Sequence, residues 1–260
     1  MNLDAAVISA GAPAAWCVRV LDEVVSTSDV VRDLALGGAP HGTVVLAEHQ
    51  TGGRGRRQNR WLAPRGRDLM FSVLFKPDGV ASDLWPRLTT LAALALCKGI
   101  EHELPLAPCI KWPNDVYLAD RKVAGLLAES LVGPAGSFVV LGIGLNVNAA
   151  AFPDEIRASA TSLAVELRPG GIEIDRNSLA VAILNALAHE LPRLDAGFVA
   201  AMEEVRARSW LLTKTVRATV DGREVFGRAA DLNHEGHLVL ALPDGSTRTL
   251  SSADEVRCVV

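Results

Sequence analysis

Lysine is scarce in this chain: of its 26 basic residues only five are lysines, Lys76, Lys98, Lys111, Lys122 and Lys214, so each marks a position to inspect. Four cysteines, Cys17, Cys97, Cys109 and Cys258, are scattered without a Cys-x-x-Cys pair. That spacing excludes a disulfide scaffold and argues against a thiolate metal site; it fits buried small apolar residues in a reducing cytoplasm. No run approaches the roughly 18 apolar residues of a membrane span. Met1 to Ala15 has no basic start followed by an apolar run, so no secretion signal is expected. What is present, 49% hydrophobic and 22% charged residues over 260 positions, suits one full core or a core with a small appended module.

The N-terminal stretch Leu3–Arg19 is Ala-rich and ambiguous. Ser26-Thr27-Ser28-Asp29 ahead of Val30–Ala35 reads as a capped helix stopped by Gly37-Gly38. Thr43–Glu48 and Leu69–Phe75 are apolar strands on either side of an aperiodic segment. Ser82–Leu104 predicts a helix with Ser82 as its cap. Pro113-Asn114-Asp115 forms a turn, and Val116–Leu118 with Val123–Glu129 a hairpin around Ala119–Lys122. A strand at Phe138–Ile143 and helices near Asn177–Leu191 and Phe198–Arg208 follow. Beyond Trp210, short strand-like runs alternate with turn signals such as Asp221-Gly222 and Asp244-Gly245, which predicts a small barrel or sandwich with a boundary near Leu211.

Six arginines (Arg54, Arg56, Arg57, Arg60, Arg65, Arg67) fall between residues 54 and 67 with no acid among them, in a chain of net charge −4. Gly52, Gly53 and Gly55 interleave, so backbone N–H groups can approach an anion, while guanidinium forks meet phosphate or carboxylate oxygens in pairs. From this loop alone a small phosphate ligand, a nucleic acid and a solvated charged face all stay open. Against nucleic acid stand the sequence pI of about 5.9 and the presence of only one interleaved aromatic, Trp61. The pattern is not a Walker-type phosphate loop.

Lys111-Trp112-Pro113-Asn114-Asp115 and Asp120-Arg121-Lys122-Val123-Ala124-Gly125 hold two of the five lysines, one ending a strand and one at a hairpin turn. Both can project into one cleft; equally, Pro-Asn-Asp is ordinary turn chemistry and Lys122 an ordinary turn lysine. Gly125, Gly142 and Gly144 mark either bulges or places where backbone meets a ligand.

In order and spacing these segments resemble the biotin protein ligases: Ser26-Thr27-Ser28, Ala47–Arg57 with Trp61, Lys111–Asp115, Arg121–Gly125, and Gly142-Ile143-Gly144-Leu145-Asn146-Val147-Asn148. The resemblance implies an α+β fold. Residues 1–210 would form a class II synthetase-like biotin/lipoate ligase domain, a mixed β-sheet flanked by helices, and residues 211–260 a five-stranded SH3-like β-barrel. It implies two steps: biotin and ATP give biotinyl-5′-AMP and pyrophosphate, then biotin passes to a lysine of a biotin carboxyl carrier protein domain.

By the resemblance, Lys122, Arg56 and Arg54 are catalytic. Ser26, Thr27, Ser28, Gln50, Gly53, Arg54, Gly55, Arg56, Lys122 and Gly125 surround biotin, with Ser26, Thr27 and Gln50 on its ureido end. Arg56, Trp61, Lys111, Asn114, Asp115, Lys122 and Asn146 lie with ATP, Trp61 packing over the adenine. Magnesium is implied with ATP, with Asp115 as its protein neighbour. The arginine loop is expected to act as a lid that orders around its anion and shields the mixed anhydride from water.

Ser28 departs from the family's frequent asparagine, and Gln58-Asn59-Arg60 from its usual Gly-Arg pair. Only some 25 residues precede Ser26, fewer than a DNA-binding helix-turn-helix domain needs, so DNA is not an expected partner, and without a long apolar run neither is a membrane. A cytoplasmic monomer or weak homodimer is expected. The rivals are lipoate ligation, disfavoured by Gln50 and the Lys-Trp-Pro-Asn-Asp block, and a non-catalytic RNA- or partner-binding module.

Overall fold

The computed structural model describes residues 2–133, 136–167 and 173–259. The ambiguous N-terminus resolves into two elements. Asp4 caps helix α1 (Ala5–Gly11), its carboxylate accepting from the Ala6 and Val7 amides. Strand β1 (Cys17–Val24) follows and pairs in parallel with β2 (Thr43–Gln50) through the crossover helix α2 (Thr27–Leu36). β3 (Leu69–Phe75), β4 (Cys109–Lys111), β5 (Asp115–Leu118), β6 (Arg121–Gly133) and β7 (Gly136–Leu145) complete a seven-stranded mixed sheet in the order β1-β2-β3-β7-β6-β5-β4. Every pairing except β1–β2 is antiparallel.

One sheet face is covered by α3 (Arg87–Glu103) and α5 (Arg176–Glu190), the other by α2, whose Val31 and Ala35 pack on Val45, Leu74, Phe138 and Val140. α4 (Leu163–Glu166) and α6 (Phe198–Ala207) lead to a second sheet of β8 (Thr215–Val220), β9 (Arg223–Leu232), β10 (Leu238–Ala241), β11 (Thr247–Leu250) and β12 (Glu255–Cys258). Its order is β11-β10-β9-β8-β12, antiparallel throughout. Five strands form where five were expected, and among the described residues no ladder pairs β11 with β12.

The two sheets share one hydrophobic core: Val216, Leu238 and Val256 belong to the same buried cluster as Leu91 and Leu184. The segment joining them lies along the β4 edge, with Ile110 N donating to Arg208 O (2.7 Å) and Trp210 N to Ile110 O (2.8 Å). Trp112 Nε1 donates to Gly236 O (2.9 Å) in the β9–β10 turn.

Three local expectations change. The helix expected from Ser82 begins at Arg87, because Pro86 has no N–H to donate; Ser82–Leu84 is a separate 3₁₀ turn. Lys122 is a strand residue rather than a turn residue: the turn is made by Ala119 and Asp120 at φ +45° and +62°. Of the four cysteines only Cys97 is buried, and Cys17 is exposed.

Candidate active site

Three pieces enclose a cleft of about 480 Å³: the arginine loop, the β6–β7 floor, and β12 with the turn before it. Of the fifteen residues singled out by sequence, all but Gly53 and Asn146 line it.

One end is neutral and buried. Ser26 sits at the N-cap of α2 with extended backbone, yet its side chain makes no capping bond, which leaves the hydroxyl for the cleft. Gln50 ends β2, and its Oε1 accepts from Thr27 N (2.7 Å) and Thr27 Oγ1 (3.1 Å), which turns its Nε2 the other way. Thr27 Oγ1 and Ser28 Oγ meet at Ser72 Oγ (2.8 and 3.0 Å). Ser72, fully buried on β3, was not singled out by sequence; only the register of β3 between β2 and β7 brings it under α2. A Cβ on Gly142 would stand 2.8 Å from Ser28 Oγ, so any side chain there would displace that hydroxyl. Gly53, outside the lining, backs this end: its Cβ position lies 3.2 Å from Gln50 Nε2.

The floor between the ends is the cross-strand pair Gly125–Gly144. Trp61 lies on it: a Cβ on Gly144 would overlap the indole, and one on Gly125 would stand 3.2 Å from Cζ3. Trp61 N is held by Gly53 O (2.9 Å), and its buried Nε1 has no hydrogen-bond partner among the described residues. The indole therefore sits mid-cleft, beside the Gln50 wall.

The other end is charged. Lys122 Nζ lies 2.6 Å from Asp115 Oδ1 and 5.7 Å from the Trp61 ring centre. Asn114 is locked to β6, its Nδ2 donating to Leu126 O and its own carbonyl accepting Leu126 N (both 2.9 Å). Its Oδ1 then accepts Arg56 Nη1 (3.2 Å), while Arg56 Nη2 donates to Ala253 O (2.9 Å). Burial and the neighbouring Arg57 lower the Arg56 pKa. Lys111 donates to Tyr117 OH (3.0 Å), and burial lowers its pKa while pushing Tyr117 up to about 12. Trp210 packs against Tyr117 in a tilted contact and carries Lys214 3.5 Å over its ring centre.

The arginine loop is tied down along its length. Arg54 bonds Asp29 (2.6 Å) and Glu129 (3.0 Å); burial would lower its pKa, but these partners hold it above the ordinary value. Arg57 pairs with Asp254, Arg60 donates to Thr51 O, and Arg67 donates to Asn148 O. Asp254, Glu255 and Thr219 reach the cleft from the second sheet, a contribution that no local pattern announced. Asn146 goes the other way: 5% exposed, it donates to Thr161 O (2.9 Å) beneath the 159–161 segment and does not line the cleft.

A pocket of neutral donors and acceptors, joined over a glycine floor to clustered cations, suits a ligand with a polar neutral head and an anionic end, and the chain's similarities place it among the ligases that join a small acid to a protein. Residues 21–146 match the Biotin/lipoate A/B protein ligase family and residues 212–254 the Biotin protein ligase C terminal domain. Within that group the chain belongs to the biotin protein ligases. It is 35% identical over 254 residues to the biotin–[acetyl-CoA-carboxylase] ligase of Mycobacterium tuberculosis, covering 95% of this chain and 91% of that protein. The bifunctional ligase/repressor BirA of Bacillus subtilis is 32% identical over 90% of this chain and 72% of its own length. The biotin protein ligase of Aquifex aeolicus in complex with biotin and ATP superposes with a TM-score of 0.82 at 25% identity, over 93% of this chain and 99% of that one.

Proposed function

We propose that this protein activates biotin with ATP as biotinyl-5′-AMP, releasing pyrophosphate, and transfers the biotinyl group to a lysine of a biotin carboxyl carrier protein domain of a biotin-dependent carboxylase. The observation that carries the reading is the junction in one cleft of the Thr27–Gln50 pocket with Lys122 and Arg56. A ureido group offers one carbonyl and two N–H groups, and a site of hydroxyls and an amide answers that pattern while leaving its polar atoms unpaired against an acid that lacks it. Lipoate has no ureido group, so the same wall disfavours it.

Adenylation brings a carboxylate against the α-phosphate, two anions whose repulsion at about 4 Å is on the order of 4 kcal/mol at an effective dielectric near 20. Lys122, on the glycine floor between the two ends, is the point charge that offsets this, and Arg56 the fork that holds phosphate oxygens. Arg54 supports the reaction from the rim: latched to Asp29 and Glu129, it fixes the loop over the acid end. Trp61, lying on Gly125 and Gly144 beside Lys122, would pack over the adenine. Lys111, Asn114 and Asp115 form the nucleotide end, with Asn146 buttressing from behind.

Magnesium bound with ATP would lean on the phosphates, with Asp115 as its protein neighbour; among the described residues no group of three or more His, Cys, Asp or Glu is arranged to hold a metal. It supplies charge neutralisation on the phosphates. No helix among the described residues is long and apolar enough to cross a membrane. A cytoplasmic setting with ATP at hand suits this chemistry, in a monomer or weak homodimer without a DNA target.

The test is biotin-dependent exchange of labelled pyrophosphate into ATP, with lipoate in parallel. Exchange with biotin alone, lost in Lys122→Ala, is the expected result. Exchange with lipoate, or with neither acid by a folded protein, would overturn the assignment.

A further inference from the structure

A second cavity, of about 670 Å³, lies behind the first. The two share Arg56, Trp112, Pro113, Asn114, Leu126 and Leu127, so they adjoin, and Arg56 is the one charged side chain common to both linings. The Arg56 guanidinium is held by neutral acceptors: Nη1 donates to Asn114 Oδ1 (3.2 Å) and Nη2 to Ala253 O (2.9 Å). The second chamber opens elsewhere, between the 3₁₀ turn at Ser82–Leu84, the outer part of β6 and the β9–β10 turn of the second sheet.

The geometry points to this chamber as the entry port for the acceptor lysine, with Arg56 as the partition that opens once the acyl-adenylate has formed. This rests on the ligase reading above. A mixed anhydride in the first chamber must be shielded from water yet reached by a protein-borne amine, which a single opening under the arginine loop serves poorly. A second opening on the far side of Arg56 meets both needs. Arg56 now holds two neutral oxygens. An adenylate phosphate is a stronger, charged acceptor for the same fork, so formation of the intermediate draws the guanidinium toward the first chamber and clears the way.

The chemistry of the chamber favours an alkylammonium over the other species that must come or go, pyrophosphate. Its carboxylates, Asp83 and Glu235, are exposed at the mouth. Its basic groups besides Arg56 are Arg87, committed to the Phe198 ring (4.5 Å to the centroid) and the Leu194 carbonyl (3.4 Å), and His237, whose Nδ1 lies 3.3 Å from Glu235 Oε2. A polyphosphate would meet two acids at the entrance, whereas a lysine would be drawn in by them. Once inside, the ammonium gives up one proton to water. Its nitrogen then forms the C–N bond to the biotinyl carbonyl carbon, the C–O bond to the AMP phosphate breaks, and a second proton leaves the nitrogen as AMP departs.

The experiment fills or recharges the chamber without touching the first. Ser130, exposed on β6, lines it and has no role in the cleft. In the full-length Ser130→Trp protein, biotin-dependent pyrophosphate exchange stays at the wild-type level while transfer to a purified carrier domain falls about a hundredfold, the scale set by misplacing a reacting group. Free hydroxylamine, small enough to pass, still discharges the adenylate at the wild-type rate. As a surface variant independent of packing, Asp83→Lys combined with Glu235→Lys raises KM for the carrier about tenfold, with the effect shrinking as salt is added. Transfer unchanged in both variants overturns the port, and so does exchange that falls in step with transfer, which would make the chamber a polyphosphate route. A wild type with no exchange at all sinks the ligase reading, and the port with it.

Discussion

The two ends of the cleft are built on different principles. At the acid end, Ser26, Thr27, Ser28 and Gln50 are uncharged and are fixed by α2, β2 and the buried Ser72 within one rigid layer. At the nucleotide end, Lys111, Asp115, Lys122 and Arg56 are charged, and their surroundings are shared with the second sheet through Ala253 and Asp254 and with the joining segment through Trp210. The neutral end discriminates by what an imperfect ligand would leave unpaired. The charged end stabilises what forms during reaction, and its geometry depends on how two sheets meet. Selectivity is thus local to one layer, while rate depends on the junction.

Substitutions should separate the two ends. The largest effect falls at the charged end: Lys122→Ala lowers the exchange rate by about 10²–10³ with little change in the Kd for biotin, measured by exchange and calorimetry, as for loss of one preorganised charge. Similar losses of rate and biotin affinity would break the comparison. At the neutral end, Gln50→Ala raises KM for biotin by roughly 10–100-fold with KM for ATP unchanged, since Thr27 N loses its acceptor along with the ligand contact.

A smaller effect tests the junction. Asp254→Ala releases Arg57 and raises KM for ATP about fivefold, within the range of a partly exposed ion pair, while tryptic cleavage at Arg56 and Arg57 quickens. If KM for biotin moves instead, the second sheet serves the acid end and the division fails.

The smallest effect on activity concerns the foundation behind the neutral end. Arg176 there joins Glu48, two residues before Gln50, to the Asp68 carbonyl (2.7 and 3.3 Å). Burial raises the Asp68 carboxyl to about 6 from 3.8, although the Val147 and Ala149 amides pull it down. The folded state therefore binds this proton more tightly than the unfolded chain. Its contribution is fully present below about pH 4 and is lost as pH rises through 6, a change of up to about 3 kcal/mol. Asp68→Asn should flatten the fall in urea midpoint between those pH values and leave exchange near wild type; an unchanged slope would remove the assignment.

Motifs carried by consecutive residues were legible in the sequence. The Arg-Gly loop and the Lys-Trp-Pro-Asn-Asp block needed only their own spacing, and the structure brings both to one cleft. What was hidden depends on register between distant segments. Ser72 matters because β3 lies between β2 and β7, and Asp254 because a turn of the second sheet lands on the loop. Strand β1 was obscured by the Ala-rich run before it, and the interior of the Ser82–Leu104 helix outweighed the break at Pro86. Asn146 shows the opposite failure: a polar residue inside a motif points into the protein to hold Thr161.

The poverty of lysine acquires a chemical meaning once the cleft is understood. A protein that makes an activated acyl group exposes its own amines to it. Here Lys98 is bound by Glu190 and Glu204, Lys122 by Asp115, Lys111 by Tyr117, and Lys214 by Trp210 and Asp120. That leaves Lys76 as the one lysine without such a partner among the described residues. Guanidinium groups, which do not form stable amides under these conditions, carry the remaining positive charge. Prolonged incubation with biotin and ATP in the absence of a carrier should therefore label the protein sparsely and Lys76 first: the enzyme is built from residues that its own product cannot easily mark.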